Sequence, residues 1–248
     1  MKVKTILVSQ PAPKTENSPY LELSEKQKVK IDFRPFIHVE GVPSKEVRAQ
    51  KIDLNNYTAV ILTSRNAVDH FFRIAEEMRF TVPDAMKYFC QSEAVAYYLQ
   101  KYVVYRKRKI YVGERTFQDL SKIIKKHKDE KFLLPSSNKL KEIVPTILNE
   151  NKINWQRAVL FNTVVSDLSD LGDVLYDILV FFSPSGIDSL FKNFPDFEQK
   201  DTRIAVFGNT TVKAAKAAGL ECNIQAPTPE TPSMTMALEK YIISANKK

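Results

Sequence analysis

Five short polar turns hold the residues of this chain best suited to binding an anion: Ser64-Arg65-Asn66, Gln91-Ser92-Glu93, Ser136-Ser137-Asn138-Lys139, Ser183-Pro184-Ser185-Gly186 and Asn209-Thr210-Thr211. Each follows a short apolar run, and most lead into apolar residues at helical spacing. Each is therefore expected at the carboxyl end of a strand, where a loop opens a helix. Hydroxyl and amide side chains cap such helices. The unpaired N–H groups of the first turn, together with the helix dipole, attract carboxylates and phosphates. For any one turn, capping alone is a sufficient explanation. Five of them together point to an anion held at many places.

Other chemistries find little support. With six glycines the chain offers neither G-x-G-x-x-G nor a Walker A motif. His38, His70 and His127 are scattered and lack ligand-spaced partners, so no metal site is expected, and no cofactor. No spacing brings Ser, His and Asp, or Cys and His, into a nucleophilic set. Cys90 and Cys222 read as two separate thiols, small buried hydrophobes in a reducing compartment. The formal charge is +8, with Lys and Arg concentrated in Lys101–Arg115 and Lys122–Lys131. Such a field favours an anionic partner, although charge alone does not choose among nucleic acid, acidic lipid and a polycarboxylate. Tyr102, Tyr105 and Tyr111 interleave with basic residues, but their alternation fits strand packing equally well, so nucleic acid ranks below a small polyanion. Ile6-Leu7-Val8, the first apolar run, is too short for a signal-peptide core or a membrane span. A cytoplasmic location without membrane association is expected.

The elements that must position these turns follow one rhythm. Lys4–Val8, Thr58–Leu62, Lys131–Leu134, Ile178–Phe182 and Ile204–Phe207 read as buried strands, each followed by a polar turn. Helix starts are expected at Asn17/Ser18 with Pro19, at Ser64 before Ala67, Phe71, Phe72 and Ala75, and at Thr231 with Pro232; Gly219 is expected to stop the helix begun near Thr210. Strands alternating with helices imply α/β architecture with parallel sheets. An internal repeat organises them. Residues 57–72 match residues 176–191 at an offset of 119, and residues 88–96 match residues 206–214 at an offset of 118. Near-equal offsets through two strand–turn–helix units imply two copies of one α/β domain. The extended stretches Ile31–Val39 and Arg157–Val165 lie between the copies and are expected to pair as a short antiparallel ladder.

The ordered set Leu62-Thr-Ser-Arg-Asn-Ala-Val, Leu133-Leu-Pro-Ser-Ser-Asn-Lys-Leu-Lys-Glu, Phe181-Phe-Ser-Pro-Ser-Gly and Ala205-Val-Phe-Gly-Asn-Thr-Thr resembles the uroporphyrinogen-III synthase family along essentially the whole chain. The resemblance implies two similar parallel-sheet lobes, Rossmann-like or flavodoxin-like, joined by a two-stranded linker. One lobe would comprise 1–34 with 167–248, the other 41–156, with linker strands at 35–40 and 157–166. It implies cofactor-free, dehydrating cyclisation of hydroxymethylbilane with inversion of the last pyrrole, giving uroporphyrinogen III for heme and other tetrapyrroles. Substrate and product are both polycarboxylates. The substrate-binding set would be Ser64, Arg65, Asn66, Ser92, Glu93, Ser136, Ser137, Asn138, Lys139, Ser183, Ser185, Gly186, Asn209, Thr210 and Thr211, lining a cleft. Nothing requires more than a monomer.

Three positions depart from the family pattern. Phe161 stands where members usually carry a tyrosine proposed to help the substrate hydroxyl leave, and phenylalanine has no proton to donate. Glu93 falls in a turn that usually reads Gly-x-x-Thr-Ala, and Asn209 replaces the usual proline before two threonines. No catalytic residue is assigned on this basis. The alternative is a noncatalytic relative that binds a tetrapyrrole or another polyanion.

Overall fold

The computed structural model describes every residue except Met1, Glu16, Arg115, Asp173 and Lys248, so the end of the first basic run lies outside the described residues. The chain forms two compact units, Met1–His38 with Val164–Lys248, and Val39–Thr163. It begins with β1 (Thr5–Val8), α1 (Pro19–Gln27) and β2 (Lys30–Phe33), followed by β3 (Ile37–Gly41). Next come α2 (Ser44–Ala49), β4 (Ala59–Leu62), α3 (Arg65–Glu77), β5 (Lys87–Cys90) and α4 (Glu93–Leu99). After these lie β6 (Ile110–Val112), α5 (Phe117–Ile124), β7 (Phe132–Ser137), α6 (Ile143–Glu150) and β8 (Trp155–Val165). The chain ends with β9 (Ile178–Phe181), α7 (Pro184–Asn193), β10 (Arg203–Phe207), α8 (Asn209–Ala217), β11 (Cys222–Ala226) and α9 (Met234–Asn246).

The first unit carries the sheet β11-β10-β9-β1-β2, with every neighbouring pair parallel. Its strands run 2-1-3-4-5 in chain order, the order of doubly wound sheets of the flavodoxin type. The second sheet is β3-β8-β7-β4-β5-β6. From β8 to β6 all its pairs are parallel. The two copies of the repeat occupy equivalent places: β4 and β5 are neighbours in one sheet, β9 and β10 in the other. β3 alone runs antiparallel. Its flanks hydrogen-bond through Ser166 N–H to Phe36 O and Val42 N–H to Leu160 O, so one index falls as the other rises.

Parallel sheets covered on both faces need strands that are apolar throughout. β4 and β9, Ala-Val-Ile-Leu and Ile-Leu-Val-Phe, are buried at every position. Successive side chains alternate between faces. In the first unit Ile6, Val8, Val180 and Ala205 pack with Leu23 of α1 and Leu238 of α9. Leu7, Leu179, Phe181 and Val206 pack on the other side with Leu190 of α7 and Ala215 of α8. In the second unit Val60, Leu62, Tyr88 and Leu133 meet Phe71 of α3 and Leu99 of α4, while Ile61, Phe89, Phe132 and Leu134 meet Leu120 of α5 and Leu148 of α6. Each fully buried Val, Leu, Ile or Phe among these contributes roughly 2 kcal/mol.

Two expectations are corrected. Ile31–Val39 is not one crossing strand: Arg34-Pro35-Phe36 separates β2 of the first sheet from β3 of the second. Pro35 has no N–H to continue a ladder. The cap of α9 lies two residues beyond Thr231. Thr231 is engaged with Thr228, N–H to Oγ1 at 3.0 Å and hydroxyl to hydroxyl at 2.8 Å. Ser233 takes the cap, its Oγ accepting from Met236 N–H at 3.2 Å.

Candidate functional site

In a 2-1-3-4-5 sheet, ligands sit beyond the carboxyl ends of the strands, near the switch point between strands 1 and 3. In the first unit that point lies between β1 and β9. Ser9 follows β1, its N–H bonded to Val180 O at 3.0 Å. Ser183 follows β9 and caps α7, Oγ accepting from Gly186 N–H at 3.2 Å, with Pro184 opening the helix. Gly186 is buried, and a Cβ there would lie 3.4 Å from the Phe181 ring and 3.8 Å from Ser9 Oγ, so the two turns adjoin. Ser185 is half-buried one residue before it.

β10 is next in the sheet. Gly208, at φ +86°, turns the chain directly into α8 and contributes no side-chain cap. Asn209 and Thr210 are left exposed on the first turn. Thr211 is not: it is 1% exposed, and its Oγ1 has no hydrogen-bond partner among the described residues. A buried hydroxyl without a partner carries a desolvation cost. Thr211→Val keeps the shape and removes that cost. It is expected to raise stability by about 1 kcal/mol in urea unfolding with the Michaelis constant unchanged. A rise in that constant would return Thr211 to the binding set.

In the second unit the switch point lies between β7 and β4. Ser64 caps α3, Oγ accepting from Ala67 N–H at 3.1 Å, and Arg65 and Asn66 stand exposed on its first turn. After β5, Ser92 has cap geometry but makes no side-chain cap bond, and Glu93 is the exposed first residue of α4. A carboxylate at that place is favoured by the helix dipole.

The turn after β7 differs from expectation. β7 continues through Pro135-Ser136-Ser137, paired with β8, and α6 begins only at Ile143. Ser136 is buried, at 3% exposure, and its Oγ accepts from Arg157 Nε–H at 2.9 Å. Arg157 Nη2 also donates to Ser137 O at 2.7 Å and Asn138 O at 3.1 Å. Ser137 Oγ donates to Lys139 O at 2.8 Å and accepts from Lys139 N–H at 3.2 Å. Asn138 Oδ1 accepts from Thr163 N–H at 3.0 Å. This turn is built by side chains of β8 and not by a helix start. Its backbone groups are taken up in these bonds, and its outward offering is the exposed Lys139.

A cavity of about 490 Å³ opens at this end of the second sheet, lined by Thr63, Gln91, Thr116, Lys139 and Lys141 among others. Thr63, Thr116 and Lys141 were missed in the sequence. Thr116 was legible: Thr116-Phe-Gln-Asp119 forms a capping box, Oγ1 accepting from Asp119 N–H at 3.2 Å while Asp119 Oδ2 accepts from Thr116 N–H at 3.1 Å.

A protein-family model described as uroporphyrinogen-III synthase HemD matches residues 18–236. The chain belongs to the uroporphyrinogen-III synthase family. Its function is that of the family, the lyase-type cyclisation of hydroxymethylbilane in porphyrin and heme biosynthesis. Two solved structures share the fold. Uroporphyrinogen-III synthetase from Helicobacter pylori is 18% identical at a TM-score of 0.64, covering 98% of this chain and 100% of that one. A mutant uroporphyrinogen III synthase from Thermus thermophilus is 13% identical at 0.60, covering 99% and 100%. No curated protein sequence matches the chain.

Within this synthase, Phe161 is 6% exposed on β8 and stacks on His70, ring centroids 4.9 Å apart and planes 16° from parallel. Burial lowers the His70 pKa and the neighbouring Arg73 charge adds to this, while Arg73 Nε–H donates to His70 Nδ1 at 3.1 Å. Neither ring is set up as an acid at neutral pH. Both cysteines are free thiols, and burial pushes Cys90 up to about 12. Among the described residues no group of His, Cys, Asp or Glu could hold a metal ion, and no helix is long and apolar enough to cross a membrane.

Proposed function

We propose that this synthase works by positioning: exposed donors at the carboxyl ends of its two sheets hold the carboxylates of hydroxymethylbilane, and the bound geometry selects the product. The first row offers Ser183, Ser185, Asn209 and Thr210, with Gly186 giving α7 room to start beside Ser9; the second offers Ser64, Arg65, Asn66, Ser92 and the exposed Lys139. Ser136 acts from behind the second row as a support through Arg157, Thr211 packs inward, and Glu93 steadies the start of its helix.

The reaction loses water and forms one carbon–carbon bond without net oxidation. Departure of the hydroxyl leaves an azafulvenium cation on the substrate. Attack on it from the substituted carbon of the last ring gives a spiro intermediate; breaking that carbon's bond to the preceding bridge, reclosure at the free α-carbon and loss of a proton give the inverted isomer, whereas direct closure gives the symmetric one. Holding the ends in the first arrangement removes the entropic advantage of direct closure. Fixed dipoles aimed at the developing charge lower the barrier further. The carrying observation is the family match over residues 18–236, and the rows of helix N-termini supply a physical means for it.

The same reading takes 1–34 with 167–248 and 41–156 as the lobes and 35–40 and 157–166 as linker strands. It places a monomer in the cytoplasm with no membrane or nucleic-acid partner. Incubation with hydroxymethylbilane, followed by chromatography of the oxidised porphyrins, is expected to give predominantly the type III isomer. Type I alone, at the rate seen without protein, would sink the synthase reading and favour a noncatalytic binder of tetrapyrrole or another polyanion. Phe161, where the family carries tyrosine, is the observation in favour of that second reading.

A further inference from the structure

Arg65 stands where a helix ordinarily places an acid. It is the first residue of α3, at the positive end of the dipole, and among the described residues no carboxylate lies within ion-pair distance of it. Its natural neutraliser is Asp69, one helical turn along the same face. Asp69 is engaged elsewhere. Tyr98 OH donates to Oδ1 and Oδ2 at 3.0 and 2.8 Å, Tyr102 OH donates to Oδ1 at 2.6 Å, and Lys101 Nζ lies 3.6 Å away. Tyr102 is itself fixed against α3, its ring stacked on Phe72 at 4.4 Å with planes 2° apart. The Arg65 guanidinium rests over the Tyr98 ring, 5.5 Å from its centroid.

We infer that Tyr98 and Tyr102 are positioning residues that divert Asp69 from Arg65 and hold its guanidinium on the Tyr98 ring, ready for a substrate carboxylate. The inference rests on the reading of Ser64-Arg65-Asn66 as a binding turn. Phenol hydroxyls bonded to a carboxylate are charge-assisted and outweigh an exposed ion pair one helical turn apart. The two tyrosines therefore keep two opposite charges on one helix face from cancelling. Electron density drawn into Tyr98 by its bond to Asp69 strengthens the ring's hold on the cation.

Tyr98→Phe with Tyr102→Phe keeps both rings and removes both hydroxyls, freeing Asp69 to pair with Arg65. Tyr98 is half-buried and Tyr102 exposed, so no core cavity results. The Michaelis constant for hydroxymethylbilane is expected to rise about threefold or more with kcat unchanged. Adding Asp69→Asn to the double variant is expected to restore it, because the competing carboxylate is then neutral. Failure of Asp69→Asn to restore it, or no rise in the double variant while Arg65→Ala does raise it, would overturn this inference and leave the binding turn standing. No rise with Arg65→Ala would overturn the binding turn and the inference together.

Discussion

Asp177→Ala is expected to lower the unfolding free energy by about 3 kcal/mol at pH 7, through loss of charge-assisted hydrogen bonds in the first unit. Asp177 Oδ2 accepts from Lys4 N–H at 2.7 Å, Thr5 N–H at 2.9 Å and Thr5 Oγ1–H at 3.2 Å, tying the start of β1 to the start of β9. Alanine leaves those donors to solvent, which recovers only part of the energy. Burial pushes the Asp177 carboxyl up, but the bonds from Lys4 and Thr5 and the nearby Arg203 charge outweigh it, so its pKa lies below the ordinary 3.8. A carboxyl with a depressed folded-state pKa contributes stability in full above its unfolded value and loses it as pH falls through the folded value. The difference between wild type and variant should therefore hold steady from pH 7 to about pH 5 and shrink below about pH 4. Urea unfolding at a series of pH values reads it; a difference still undiminished at about pH 2 would show that the charge contributes nothing.

Arg157→Met is expected to cost about 2–3 kcal/mol in the same assay and to raise the Michaelis constant about tenfold. Methionine keeps an apolar stem but loses the guanidinium and the three N–H bonds it makes here. Ser137 O and Asn138 O then have no guanidinium, and Ser136 Oγ keeps only its contact with Ser137 O at 3.2 Å. The turn that presents Lys139 is released, while the helix starts at Ser64 and Ser92 belong to other elements. Loss of stability without a change in substrate affinity would remove the Ser137–Lys139 turn from the binding row.

The strand–turn–helix units were legible because their causes are local. A strand buried on both faces must be apolar over its whole length, and Ser64 and Ser183 cap helices through donors only three residues away. The family resemblance was legible for the same reason, since four such units recur in order. What tertiary structure decided lies in side chains reaching across many residues. Arg157 draws Ser136 out of its turn and into β7 from 21 residues away. Tyr98 takes Asp69 from 29 residues away, and Asp177 reaches Lys4 across 173. Thr211 shares a turn with Asn209 and Thr210 yet faces inward, because helical geometry carries the third residue round to the buried side. The sequence by itself thus determined which turns could meet an anion, through capping and periodicity. Which side chains remain free to do so depended on long-range partners, which no local pattern records.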